Sequence, residues 1–348
     1  MSEHKASDGA LDNGTDGIDM RTLLAVLTKM LGAEITGASF QAKRLHGGTV
    51  GSVRLVAGTA HASDGRKLSY NVVLKIQKKW ERPGDPDSWR REYDLYSSCL
   101  ADFFSDSLRW PECYHAEMAG DETRLWLEYA DGVSGLNLTG EMYERAAREL
   151  GRFQGRLYAE RPPALQSIAN LGNVGYMKNF YLHYRSWKVV YDYVRSDSSE
   201  MPAHLRKMLV DVDENADEIF ARIEKLPIVL CHRDFWVANI IHRDGKTALI
   251  DWDTAGWGYM GEDIASLIAD EADVARMAEH YHRCVRAYYD GFCEHARASR
   301  ADHCVREMIL VMFGYRLVEW YLRADSPEDK ALHLDTLQKI YELEGSAQ

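Results

Sequence analysis

No apolar run in this chain approaches the roughly 20 residues that a helix needs to cross a bilayer, which argues against a membrane partner. The opening stretch, MSEHKASDGALDNGTDG, lacks a charged-then-apolar leader, so a cytoplasmic protein is expected. Its Ser, Asp and Gly content predicts a disordered lead-in over 1–18. Basic tracts are missing too. With 42 basic against 54 acidic residues the net charge is −12, a poor match to nucleic acid. That surplus suits a cationic substrate, and equally suits plain solubility. Cysteine is sparse: Cys99, Cys113, Cys231, Cys284, Cys293 and Cys304 show neither C-x-x-C nor Cys/His ligand spacing. A zinc site or a disulfide frame is thereby disfavoured, and reduced thiols are expected. No internal repeat or low-complexity block is visible.

What is present is a chain of 348 residues, 46% apolar, long enough for one large domain or two lobes. Residues 19–31 carry helical apolar spacing closed by Gly32. The period then changes, and 39–45, 52–62 and 68–77 read as strands, the last two joined by a turn at 63–66. A Pro/Gly/Asp loop over 82–87 precedes a helix at about 88–104, followed by strands near 108–118 and 123–128. Beyond Gly135 the pattern is helical. The span 139–158 has Met142, Ala146, Leu150, Phe153 and Leu157 on one face. Further helices are expected at about 175–196, 203–225, 262–298, 302–323 and 328–343, interrupted only by short strands around Cys231 and over 247–250. The expected fold class is α+β. A first lobe (19–130) would hold an antiparallel sheet with one key helix, and a larger helical lobe (131–348) would follow a hinge at 129–135.

Residues 231–253, CHRDFWVANIIHRDGKTALIDWD, carry the chemistry. His232, Asp234 and Asn239 form H-x-D-x-x-x-x-N, and twelve residues after Asn239 an apolar strand delivers Asp251. Phosphoryl transfer needs a carboxylate to orient the attacking hydroxyl, and oxygen ligands for metal ions on the phosphates. Asp234 suits the first role; Asn239 and Asp251 suit the second, since hard magnesium prefers oxygen. This arrangement resembles the catalytic loop and metal-binding aspartate of the protein-kinase-like fold. With I-D-W-D after it, it looks like the small-molecule branch, the aminoglycoside phosphotransferase and choline kinase superfamily.

That resemblance implies a two-lobed kinase-like fold and assigns roles along the chain. His46–Val53 resembles a glycine-rich loop, with Gly48, Gly51 and Val53 at its last three positions and His46 where a first glycine would stand. Backbone amides around Gly48, Thr49 and Gly51 would approach a phosphate; a glycine-rich hairpin turn is the plain alternative. Val72-Val-Leu-Lys-Ile76 places Lys75 in an apolar strand, where it either meets an anion or escapes to solvent from an edge. It resembles the V-A-I-K lysine that holds phosphates, and by the same resemblance Glu92 is its partner, with Asp94 the competing assignment. Main-chain groups of Glu128 and Ala130 would read an adenine edge. His232 would hold the loop to the metal-ligand strand, Arg233 would make a loop salt bridge, and Asp253 would be an auxiliary ligand or, preferably, a capping residue. Asp263, before an apolar run, would pack beneath the loop.

Only twelve residues separate Asp251 from Asp263, with no A-P-E sequence, which favours a small acceptor over a peptide. The expected activity is ATP- and Mg2+-dependent transfer to a hydroxyl of a small, cationic molecule of the aminoglycoside kind. Alternatives are a metabolic kinase for choline, ethanolamine, a sugar or an amino-acid alcohol, and a binding module without turnover. Aromatic residues including Trp187, Tyr191, Tyr193, Tyr315, Trp320 and Tyr321 could box a quaternary ammonium or simply fill the core. Acids near Asp270–Asp273 and Glu319 could bind amines or face solvent.

Overall fold

The computed structural model describes residues 18–45, 51–80, 82, 85–168, 170–271 and 273–343. The expected lead-in over 1–18 therefore falls, except for Ile18, outside the described residues, as do Gly48 and Thr49.

Asp19 starts α1 (Met20–Leu31) by accepting the Thr22 N–H at 2.8 Å. Its apolar spacing turns Leu23, Val26 and Leu27 inward. Strands β1 (Ile35–Arg44), β2 (Gly51–Ala62) and β3 (Lys67–Lys78) follow as an antiparallel meander. α2 (Ser88–Tyr96) comes next, shorter than expected. Ser98 stops it by donating to the Leu95 carbonyl and accepting the Leu100 N–H, local bonds that compete with the helix, and a 3-10 turn covers Leu100–Phe103. After β4 (Leu108–Arg109), β5 (Cys113–Ala119) and β6 (Glu122–Glu128) complete a five-stranded sheet in the order β1-β2-β3-β6-β5. One face of β3 buries Tyr70, Val72 and Leu74 against α1; Lys75 lies on the other.

The rest is helical: α3 (Gly140–Glu160), α4 (Pro163–Gln166), α5 (Tyr176–Arg185), α6 (Lys188–Arg195), α7 (Ala203–Glu214), α8 (Ala216–Ile223), α9 (Glu262–Ala269), α10 (Met277–Phe292), α11 (Val305–Arg323) and α12 (Pro327–Glu342). The long spans expected at 175–196, 203–225 and 262–298 are each broken. In the last, Asp273 accepts the Arg276 N–H and starts a new turn. Among the described residues, four strands, not two, interrupt the helices. β7 (Ile228–Cys231) pairs antiparallel with β10 (Gly256–Tyr259). β8 (Ile240–Arg243) and β9 (Lys246–Leu249) form a hairpin, and β4 runs parallel beside β9. Asp244-Gly245 turns that hairpin with both residues at positive φ (49° and 76°), as a two-residue turn requires.

Two hydrophobic cores result. The smaller joins α1 to the sheet; the larger fills the helical lobe. Leu95, Leu100, Phe103, Leu108 and Trp110 precede residue 130 yet belong to the larger core. There Trp252 is fully buried among the rings of Phe104, Trp110, Phe153 and His232. This buried indole fixes the segment between Asp251 and Asp253.

Candidate active site

Each chemical side chain is delivered by a short element whose neighbours are paired. β3 carries Lys75 to the lobe boundary, where its Nζ lies 2.5 Å from both Glu92 of α2 and Asp251 after β9. Lys75 is 8% exposed and Glu92 1%. Burial opposes the lysine's charge, but Asp251 and Glu92 outweigh it and raise its pKa, so Lys75 stays an ammonium. Glu92 is thus the residue that reaches Lys75. Asp94 points elsewhere, accepting from Arg90 and Asn170.

Asp234 and Asn239 are brought to Asp251 through the β8–β9 hairpin. Ile240 pairs with Leu249, and the Ile250 N–H donates to the Asn239 carbonyl at 3.1 Å, which sets Asn239 beside Asp251. The Asn239 amide nitrogen donates to the Asp234 carbonyl (2.9 Å) and carboxylate (2.6 Å). Its side-chain oxygen takes no hydrogen bond among the described residues. Burial, then the charges of Asp251 and Asp270, push the Asp234 carboxyl up to about 7. Burial works against ionisation of Asp251 as well, but Lys75 prevails and holds it below the usual carboxylate range.

Beneath the loop lies a fixed backbone. His232 donates from Nε2 to the Ile250 carbonyl (3.0 Å) and accepts the Asp234 N–H at Nδ1 (3.3 Å), which defines a neutral ring; burial pushes its pKa down to about 4. Asp263 accepts the N–H groups of His232 (2.9 Å) and Arg233 (2.7 Å) and the Gln154 amide (2.8 Å). Arg233 faces Glu262 at 3.3 Å and donates to the Asn173 and Trp257 carbonyls. Arg233 (φ 67°) and Asp251 (φ 66°) both hold left-handed backbone, uncommon outside glycine. Such outliers persist only where surroundings over-determine them, as these bonds do.

Asp253 caps no helix, contrary to the preferred reading. Its carboxylate takes Gln77 (3.4 Å) and Arg82 (3.5 Å) from the first lobe, while its carbonyl accepts fully buried Arg91 (3.0 Å). Arg91 also pairs with Asp85 and donates to the Asn170 carbonyl at 2.6 Å. Sequence reading missed this arginine, because nothing in a lone helix marks one Arg as buried. Gly51 opens β2, where an added Cβ would sit 2.6 Å from the Ile76 carbonyl; strand packing there demands glycine. The Glu128 N–H is committed to the Glu112 carbonyl (2.8 Å) and its side chain to Arg109. Glu128 can therefore offer a ligand at most its carbonyl, and half-buried Ala130 its N–H.

Among the described residues, no three His, Cys, Asp or Glu side chains form a metal-holding group on their own. The donors present still fit magnesium: they are all oxygens, few in number, and leave positions for phosphate. Asp234 and Asp253 are each pushed toward protonation by burial and by Asp251, a repulsion that a divalent ion relieves.

A sheet lobe over a helical lobe, with a buried lysine bridging both, defines the protein-kinase-like class. Within it, the profile of the phosphotransferase enzyme family (APH) matches residues 71–298, and the chain belongs to that family of small-molecule phosphotransferases. No curated protein matches it in sequence. Solved structures share the fold. The choline kinase of Cryptosporidium parvum Iowa II superposes with a TM-score of 0.56 at 14% identity, covering 94% of this chain and 97% of that one. The GDP complex of aminoglycoside 2'-phosphotransferase-IIIa gives 0.54 at 14% identity (92% and 98% covered), and a microcompartment-associated aminopropanol kinase 0.52 at 13% (92% and 95%).

Proposed function

We propose that this chain moves the γ-phosphate of ATP, held with Mg2+, onto a hydroxyl of a small amine-bearing molecule. The observation that carries the reading is Lys75 of β3, bonded at 2.5 Å to both Glu92 of α2 and Asp251 after β9, with the Asn239 amide joined to the Asp234 carboxylate at 2.6 Å. Lys75, kept charged by its partners, would hold phosphate oxygens. Asn239 and Asp251 would hold magnesium, which neutralises charge on the phosphates when bound. Asp234 would accept a hydrogen bond from the acceptor hydroxyl and take its proton as that oxygen attacks phosphorus, with ADP leaving. The short span from Asp251 to Asp263, folded as β10 and the start of α9, leaves little platform for a peptide and supports a small acceptor.

Coupled ADP release with aminoglycosides, choline-like amines, amino acids and sugars tests the reading. Asp234→Ala should lower kcat about 10²–10⁴-fold while nucleotide affinity holds, the usual scale for a positioned base. Normal turnover in that variant would remove Asp234 from the reaction. Asp251→Ala should weaken magnesium-dependent nucleotide binding; unaltered magnesium dependence would reassign it.

A further inference from the structure

On α5, Tyr176, Phe180 and Tyr184 stand four residues apart and form a row of rings with centroids 5.9 and 5.0 Å apart. The row begins under Arg233, next to Asp234, at 4.5 Å from guanidinium to Tyr176. It reaches Arg316 of α11, whose guanidinium lies 5.6 Å from Phe180 and 4.2 Å from Trp320. Arg316 makes one hydrogen bond among the described residues, a long one of 3.3 Å to Asp270, and its Nε is buried with no acceptor. About a fifth of its side chain (21%) remains exposed. A guanidinium has five N–H donors in a fork that matches a carboxylate, so most of this one is unspent. Asp270 follows α9, whose other end holds the catalytic loop through Asp263; it is buried, and its charge reaches Asp234.

Three of the rings that could box a quaternary ammonium already carry an arginine: Trp320 has Arg316, Trp187 has Arg323 at 4.8 Å and Tyr191 has Arg195 at 3.7 Å. Glu319 is likewise closed by Arg323 at 2.5 Å. An acceptor with a cation alone would have to compete with Arg316 for Asp270. An acceptor with an anion alone would take Arg316 and strand the buried Asp270 carboxylate, which is costly. Only a ligand carrying both charges exchanges partners without leaving either group unpaired.

We propose that Arg316 and Asp270 form the acceptor-recognition pair, and that the acceptor is a hydroxylated amino acid or close zwitterionic analogue. Its carboxylate lies on Arg316, its ammonium on Asp270, and its hydroxyl at Asp234. This rests on the kinase reading and narrows its substrate class. The test uses the full chain with Mg-ATP and matched acceptors: serine, homoserine and hydroxylysine; the amino alcohols ethanolamine, aminopropanol and choline; and hydroxy acids without an amine. A zwitterion should exceed both half-matched classes in kcat/KM by about 10²-fold, the scale of one lost charged hydrogen-bond pair. Arg316→Gln should lower kcat/KM for that zwitterion about 10²-fold, mostly through KM, and shift preference toward amino alcohols because Asp270 is freed. Arg316→Lys, which keeps charge and packing but not the fork, should retain part of the zwitterion preference. Wild-type preference for amino alcohols or aminoglycosides, no turnover of any zwitterion, or an unshifted preference in Arg316→Gln would overturn the assignment. Failure of the wild type to bind Mg-ATP would instead overturn the kinase reading beneath it.

Discussion

His232 stays neutral at a pH where an ordinary histidine is half charged, and the fold is stabilised by that. Its pKa falls from 6.5 to about 4 because it is buried, with Nε2 on the Ile250 carbonyl and Nδ1 on the Asp234 N–H. A second proton would have to displace the Asp234 N–H. Between these two pKa values the unfolded chain binds a proton that the folded chain refuses. Stability from this group is therefore complete above about pH 6.5 and is lost as pH falls toward 4, by up to about 3 kcal/mol. Denaturant midpoints at pH 7.5 and 5.0 should separate by more in the wild type than in His232→Gln, whose amide can still reach Ile250. Equal separations would mean that His232 does not carry the acid sensitivity. The loop-holding role of this histidine was implied by the resemblance that H-x-D-x-x-x-x-N carries, and its partners lie within 18 residues. The role of Arg91 was not, because its carbonyl acceptors at Asn170 and Asp253 lie 79 and 162 residues away.

At the scale of elements, α3 and α10 approach until backbone touches backbone. A Cβ on Gly151 would strike the Tyr288 carbonyl, one on Gly291 the Arg148 carbonyl, and one on Gly155 would sit 2.6 Å from the Phe292 carbonyl. Alanine favours a helix over glycine by about 1 kcal/mol, but here overpacking works against it by typically 1–3 kcal/mol. Gly291→Ala should therefore lower the urea midpoint, with a net loss of up to about 2 kcal/mol. A raised midpoint would show that the helices slide apart at no cost. The long apolar period of α3 made that helix legible, and α1 and β1–β3 were legible for the same reason. β8 and β10, of four residues each, are too short to show a period. For the hairpin of β8 and β9, the Asp244-Gly245 pair was the available signal. The broken helices were hidden because side-chain bonds such as that of Asp273 to the Arg276 N–H start a new turn without altering the apolar spacing.

Over the whole molecule, the division of the cores differs from the division of the chain. α2 lies in the first third of the sequence, yet Leu95 belongs to the helical lobe's core, and Arg91 ties the helix to Asn170 and Asp253 on that side. Glu92 accepts the Trp252 N–H at 3.4 Å while gripping Lys75 on the sheet. The helix thus lies between the lobes: it packs on β3, β5 and β6 of the sheet, while Leu95, Arg91 and Glu92 tie it to the large lobe. The sheet's own core is the smaller cluster, closed mainly by α1. Regions with fewer buried apolar contacts open at lower free energy, so the sheet should exchange its amide hydrogens before the helical lobe does. The decisive amides are those of α2 near Leu95. If the packing described here governs, native-state exchange will show them opening together with α3 and α10, at a higher free energy than β1–β3. Opening in step with the sheet would mean that the Lys75–Glu92 contact, and not the apolar anchor, sets where this helix belongs. If Lys75 on one side and Asn239 and Asp251 on the other hold Mg-ATP as proposed, magnesium with a non-hydrolysable ATP analogue should narrow the difference in opening free energy between the lobes, because the ligand adds its binding free energy only while both halves stay closed.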